Sequence, residues 1–321
     1  MFENIANLKT VREEDGRRTF AVVGLMRASQ VKIAKNGSEF LMLEFGDNSG
    51  VFSTMCFDGS PAFAMLKDAP IGTAFEIKGV TDFYQGRFSP KIDSVRKIEG
   101  EELDSMVEAL AQVSPYDPEE MRTELEAFIE RIEDEALRNT VEYAIKSVGE
   151  DFFKSTAAIK MHHAYVYGLL EHSLKMARMA SALLPLYPFV DADLALAGCI
   201  LHDIGKVKEY SQGLVPERTR IGILQGHVVL GHRIVRGAGL KNSLNKDLLE
   251  RLEHIILSHQ GEPEWGAAVR AATPEAVFVS TIDNFDAKMG ALEAAVSAAN
   301  GDEFVDVGAL RSKILTPKPQ H

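Results

Sequence analysis

An adjacent His202-Asp203 pair, in Leu201-His202-Asp203-Ile204-Gly205-Lys206, follows an apolar run from Leu194 to Leu201 and precedes a Gly-Lys step. A neutral imidazole and a carboxylate side by side can serve one metal centre, with the carboxylate able to bridge to a second ion. On its own the pair decides little, because a His after an apolar run is more often a packed core residue. Its company changes the weighting. His162, His163, His172, His227, His232, His254 and His259, with Asp283 and Asp286, all fall in the same stretch, and the first 160 residues hold no histidine.

The elements that must position these groups are helices. Helix-period segments run over residues 168–184, 193–202, 226–238, 247–258 and 273–298 with no strand-like alternation between them, which predicts an all-α domain. His172 lies inside the first segment, His202-Asp203 ends the second, and His227 starts a helix opened by Gly226. His254 and His259 come late in a helix that stops at Gly261. Residues five apart sit about 140° apart around a helix. The two can therefore face one site only if His259 lies at the helix end. Asp283, in Thr281-Ile282-Asp283-Asn284, would supply a closing carboxylate.

Residues 19 to 98 read differently. Short alternating runs (20–26, 40–45, 51–57, 74–80 and 87–98) are punctuated by turns at Asn36-Gly37, Asn48-Ser49-Gly50 and Gln85-Gly86, with one helix-like piece at 61–66. Five short strands with one interposed helix predict a small Greek-key barrel of the OB type. Such barrels hold single strands by aromatic stacking and basic grooves. Candidate contacts are Lys32, Lys35, Phe83, Tyr84 and Arg87; adjacent Phe83 and Tyr84 must point to opposite faces of a strand, so one of them should be free of the core. The expected organisation is multidomain: a small all-β OB-fold barrel over 1–100, an acidic helical connector with the first helices of the next domain over 101–150, an all-α domain over 151–315, and a tail over 316–321.

A chain of 321 residues with 45% apolar content has room for two cores. No run is long and apolar enough to span a membrane, and the start MFENIANLKT has neither a basic nor an apolar signal region, which points to a cytoplasmic protein. Two distant cysteines, Cys56 and Cys199, cannot build a Cys-rich zinc module, so any metal must be held by His and Asp. The net charge of −12 argues at first against nucleic acid. Between Arg17 and Lys97, however, basic side chains outnumber acidic ones 11 to 8, and most of the deficit sits between Glu101 and Glu150.

The segments HHAYVYGLLEH (162–172), LAGCILHDIGKVKEY (196–210), HIILSHQGEPEWG (254–266) and IDNFDAKM (282–289) resemble those of YhaM-type 3′-to-5′ exoribonucleases, which join an N-terminal OB-fold to an HD-domain metal-dependent phosphohydrolase. The resemblance covers nearly the whole chain. It implies ligation of two divalent ions, Mn²⁺ or Co²⁺, by His172, His202, Asp203, His227, His254, His259 and Asp283; imidazole and carboxylate donors by their chemistry also suit Fe or Zn. It also implies that His162 and His163 contact substrate phosphate. Where family members often have His-His, this chain has His259-Gln260. Asp203 is then the expected bridge and Lys206 a candidate for steadying a phosphate oxygen.

The expected reaction is attack of metal-bound hydroxide on phosphodiesters of single-stranded RNA, and of DNA as a further substrate, releasing nucleoside 5′-monophosphates. Assembly as a homo-oligomer is compatible with this reading. Two other readings stand beside it. One is a phosphohydrolase of a small nucleotide with a regulatory barrel, although residues 260–265 lack the Gly-Tyr-Pro signature of the cyclic-dinucleotide subgroup. The other is a nucleic-acid-binding protein with a structural metal, against which stands a ligand set larger than a closed four-coordinate site needs.

Overall fold

The computed structural model describes residues 2–158, 165–297, 299 and 302–316. The chain divides into two compact units, residues 1–113 with 213–216 and residues 114–212 with 217–321.

The first unit is built on an antiparallel sheet of β1 (Thr19–Ile33), β2 (Glu39–Gly46), β3 (Val51–Phe57), β4 (Ala74–Val80) and β5 (Lys91–Ile98), in the order β3-β2-β1-β4-β5. β1 is long enough to serve two partners. Thr19 to Leu25 pair with β4, and Leu25 to Ile33 pair with β2. A bulge between Met26 and Ala28 bends the strand between the two registers. The inward residues Phe20, Val22, Leu41, Phe45, Phe75 and Ile77 form the core, closed on one side by helix α1 (Phe63–Asp68) through Phe63 and Leu66. At the far edge Thr54 Oγ1 of β3 donates to the Pro90 carbonyl just before β5. The strand expected over 87–98 is interrupted. Pro90 has no N–H for a ladder, so Arg87–Phe88 pairs instead with Phe83–Tyr84 in a separate two-residue hairpin, and β5 starts at Lys91.

The second unit packs α2 (Pro118–Glu130), α3 (Glu135–Val148), α4 (Gly168–Leu183), α5 (Ala192–Leu201), α6 (Arg220–Lys241), α7 (Lys246–Ser258) and α8 (Pro274–Ser297). Asp117 caps α2 by accepting the N–H groups of Glu119 and Glu120, with Pro118 in the first turn. The acidic stretch is two-faced. Met121, Leu125 and Ile129 of α2 and Leu137, Val141 and Ala144 of α3 are buried in the common core, and the carboxylates occupy the opposite faces. α5 is buried from Leu194 to Leu201, which fits its near-continuous apolar run. Among the described residues the unit is helical except for an isolated bridge between Tyr210 and Arg218 and a hairpin, β6 (Phe304–Val307) and β7 (Ser312–Leu315), beyond α8. Each of its strands is four residues, too short for a period of two to stand out against the helical segments before it. Among the described residues no helix is long and apolar enough to cross a membrane.

Candidate metal centre

Local structure explains why the chemistry-bearing residues converge. α5 starts where Asp191 accepts the N–H of Leu194, and its C-cap is His202, so the His202-Asp203 pair leaves a buried helix at a fixed point. Gly205 follows in close approach to α6. A Cβ there would lie 2.0 Å from the His227 carbonyl oxygen, so only glycine lets the turn after Asp203 sit against His227. α6 itself is broken by Gly226 at φ 69°, which re-aims the chain directly before His227. His259 is the C-cap of α7, and Asp283 and Asp286 stand three apart on α8.

The result is two ligand clusters sharing one carboxylate. His172, His202 and Asp203 form one group, and Asp203, His227 and His259 the other. On the first side Asp203 Oδ2 lies 3.5 Å from His172 Nε2 and 3.4 Å from His202 Nε2. Asp283 Oδ1 adds contacts of 3.3 and 3.8 Å to the same two nitrogens. On the second side Asp203 Oδ1 lies 3.5 Å from His227 Nε2 and 3.4 Å from His259 Nε2. That oxygen is buried yet has no hydrogen-bond partner among the described residues. A buried carboxylate oxygen left this way is costly unless a cation completes it. The donor set therefore fits divalent metal: imidazole nitrogens and carboxylates, with no thiolate.

All four rings are held by their other nitrogen. Nδ1 of His172 donates to Asp286 Oδ2 at 2.8 Å, of His202 to the Cys199 carbonyl at 2.9 Å, of His227 to Glu209 Oε2 at 2.7 Å, and of His259 to the Ile256 carbonyl at 2.7 Å. Because the partners are pure acceptors, each Nδ1 carries the proton and each Nε2 faces the shared carboxylate, which is how ligating histidines are oriented.

The charges are mutually dependent. Burial alone would raise the Asp203 carboxyl, but Lys206, with Nζ 2.6 Å from Oδ2, and the imidazoles of His202 and His259 hold it well below the usual carboxylate range. Burial likewise opposes ionisation of Asp283, yet His172 lowers it to about 2. Burial disfavours a charged His172, but Asp283 and Asp286 outweigh it and raise the ring to about 9. Without a cation this ring keeps a second proton at neutral pH, so metal binding must release it. The accessible edge is marked by His227, Asp283 and Lys206, whose side chains are 17%, 16% and 14% exposed, against 3% or less for His172, His202, Asp203 and His259.

Of the residues expected to ligate, six converge: His172, His202, Asp203, His227, His259 and Asp283. His254 is not drawn in. Its Nε2 accepts the Ala272 N–H at 2.8 Å, and the five-residue spacing turns it away from His259. His162 and His163 lie outside the described residues. Lys206 engages Asp203 itself. Three contributors were not among the expected site residues. Asp286 and Glu209 hold rings, and Gln260 places its side-chain nitrogen 3.0 Å from His259 Nε2 and 3.3 Å from His227 Nε2. Asp286 had a signal, its i, i+3 spacing from Asp283; Glu209 had none, because its pairing with His227 depends on how α6 packs.

In the β unit, Tyr84 is 57% exposed and pairs across the small hairpin with Arg87. Phe83 instead packs edge-on against Phe88, with centroids 5.7 Å apart. Tyr84 and Arg87 line a groove of about 760 Å³ with Gln30, Met42, Ser53 and Met55. Lys32 and Lys35 are exposed but are not part of its lining.

The helical fold and this His/Asp cluster define an HD-domain protein, and the HD domain matches residues 169–288. The likeness to known proteins extends much further along the chain. It is 31% identical over 284 residues to the 3′-5′ exoribonuclease YhaM of Bacillus licheniformis, covering 88% of this chain and 89% of that protein. The YhaM of Shouchella clausii is 32% identical over 286 residues, 87% of each chain, and that of Bacillus subtilis 30% over 282 residues, 88% of this chain and 89% of the relative. The chain belongs to the YhaM family.

Proposed function

We propose that this protein is a metal-dependent exoribonuclease that hydrolyses single-stranded RNA from its 3′ end to nucleoside 5′-monophosphates, with single-stranded DNA as a further substrate. The observation that carries the reading is Asp203: a buried carboxylate whose two oxygens serve two separate imidazole clusters, in a chain that matches exoribonucleases over nearly nine-tenths of its length. The ligands would be His172, His202, Asp203 and Asp283 on one side and Asp203, His227 and His259 on the other. When bound, the ions would neutralise phosphate oxygens and make hydroxide available near neutral pH. Mixed imidazole and carboxylate donors suit Mn²⁺, and Co²⁺, Fe or Zn in its place, better than an all-oxygen Mg²⁺ site.

The protein's own groups do the rest. Asp286 and Glu209 fix ring orientation, and Lys206 offsets the charge of Asp203 at the accessible edge, where a phosphate would enter. His162 and His163 are proposed phosphate contacts. The β unit is proposed as an OB-type barrel that feeds the strand, supported by its strand order and by the helix between β3 and β4. Tyr84 and Arg87 would line the path, with Lys32 and Lys35 acting on the backbone at longer range and Phe83 supporting Tyr84. A cytoplasmic location fits an RNA substrate. The test is hydrolysis of a synthetic RNA by protein stripped of metal and reloaded with Mn²⁺: activity should vanish on stripping and return on reloading. Full activity in the stripped protein would refute the reading.

A further inference from the structure

The two halves of the centre are not built alike. On the His172 side four protein donors converge, His172 Nε2, His202 Nε2, Asp203 Oδ2 and Asp283 Oδ1, and two of them carry negative charge. On the other side, among the described residues, Asp203 Oδ1, His227 Nε2 and His259 Nε2 converge, and the one charged donor of the three is the carboxylate that both sides share. The next polar group there among the described residues is the Gln260 amide, with its nitrogen 3.0 and 3.3 Å from the two imidazole nitrogens. Turning that amide by 180° puts its oxygen in the same place. An amide oxygen is a neutral, hard donor, weaker toward transition metals than imidazole. Lys206 offsets part of the first cluster's charge through Asp203 Oδ2, but Asp283 remains there as a second carboxylate.

We infer that the centre is unequal: the His172 cluster holds a resident ion, whereas the His227–His259 cluster is a low-affinity, exchangeable position whose last protein donor is Gln260. The inference rests on the metal-centre reading above and assigns Gln260 as the residue that sets occupancy of the second position. It also makes full occupancy a function of the free metal concentration around the protein.

The experiment is a Mn²⁺ titration of chelator-stripped protein, with free Mn²⁺ followed by its electron paramagnetic resonance signal, on the full-length chain and its Gln260→His and Gln260→Ala variants. The wild type should show two classes of site per chain separated by at least about tenfold, the scale on which a single partner residue tunes metal affinity. Gln260→His should tighten only the weak class, by about tenfold or more, and Gln260→Ala should loosen only that class. Gln260 is half-buried, so melting curves should stay close to the wild type. If Gln260→His lost its melting transition, Gln260→Glu would take its place with the same expected tightening. Two equal wild-type sites, or a Gln260 substitution that moved the tight class, would overturn the inference and leave the metal centre standing. Binding of no Mn²⁺ at all would overturn both.

Discussion

Replacing Asp286 by Asn removes a charge from the hydrogen bond that orients His172 while keeping an acceptor in place. The contact is 2.8 Å long and Asp286 is only 7% exposed, so solvent does little to screen it. A bond to a charged acceptor contributes about 1.5–3 kcal/mol and a neutral one about 0.5–1.5 kcal/mol. The difference of about 1–1.5 kcal/mol corresponds to roughly tenfold in affinity for an ion on the His172 side.

The pH dependence then tests the sign. In the metal-free protein His172 is raised to about 9 from an ordinary 6.5, so a proton must leave before metal enters. Affinity should therefore climb by up to about tenfold per pH unit between pH 6.5 and 8. Asp286→Asn lowers the ring's pKa, relieves part of that competition, and flattens the climb. The deficit should be larger at pH 8 than at pH 6.5, and approach tenfold only as the pH passes about 9. Mn²⁺ titrations of both proteins at the two pH values measure this. Equal affinities at pH 8, or a deficit largest at pH 6.5, would refute the assignment of Asp286 as the partner that sets the basicity of His172.

Other substitutions probe positioning and strand binding. Gly205→Ala places a methyl 2.0 Å from the His227 carbonyl, so it should cost about 1–3 kcal/mol in denaturant unfolding and weaken Mn²⁺ binding as well; an unchanged midpoint would show that the close approach is not required. Tyr84→Ala should weaken single-strand binding by about 1–3 kcal/mol per base lost from stacking, at high salt as well as low, while the effect of Lys35→Ala fades with salt. Because Tyr84 is exposed, its loss should leave the melting temperature unchanged; a lowered one would return it to a packing role.

Much of this arrangement is legible in the sequence. The helices carrying His172, His202 and Asp283 follow from apolar periodicity, and His259 at the end of α7 follows from Gly261 after it. Local pattern does not record which residues meet across elements. Glu209 reaches His227 because Gly205 and Gly222 let two backbone segments approach and Gly226 turns the chain, and each glycine looks ordinary in the sequence. His254 misled for the opposite reason: a histidine near a motif is conspicuous, yet its direction is set by helical phase, and that phase aims it at Ala272. In the β unit, Pro90 was visible but its effect on the Phe83–Phe88 segment was not, since the small hairpin packs edge-on, through Phe88, against a side chain as far away as Phe52.

The central claim is tested most directly by incubating a 5′-labelled single-stranded RNA with purified protein and Mn²⁺, alongside the Asp203→Asn variant. That variant keeps the side chain's volume and a hydrogen-bonding partner for Lys206, so folding can be verified by melting while both ligand clusters lose their shared charge. The account predicts a ladder shortening from the 3′ end with release of nucleoside 5′-monophosphates in the wild type, and no ladder in the folded variant. Internal cuts in the wild type, or a full ladder from folded Asp203→Asn protein, would contradict it.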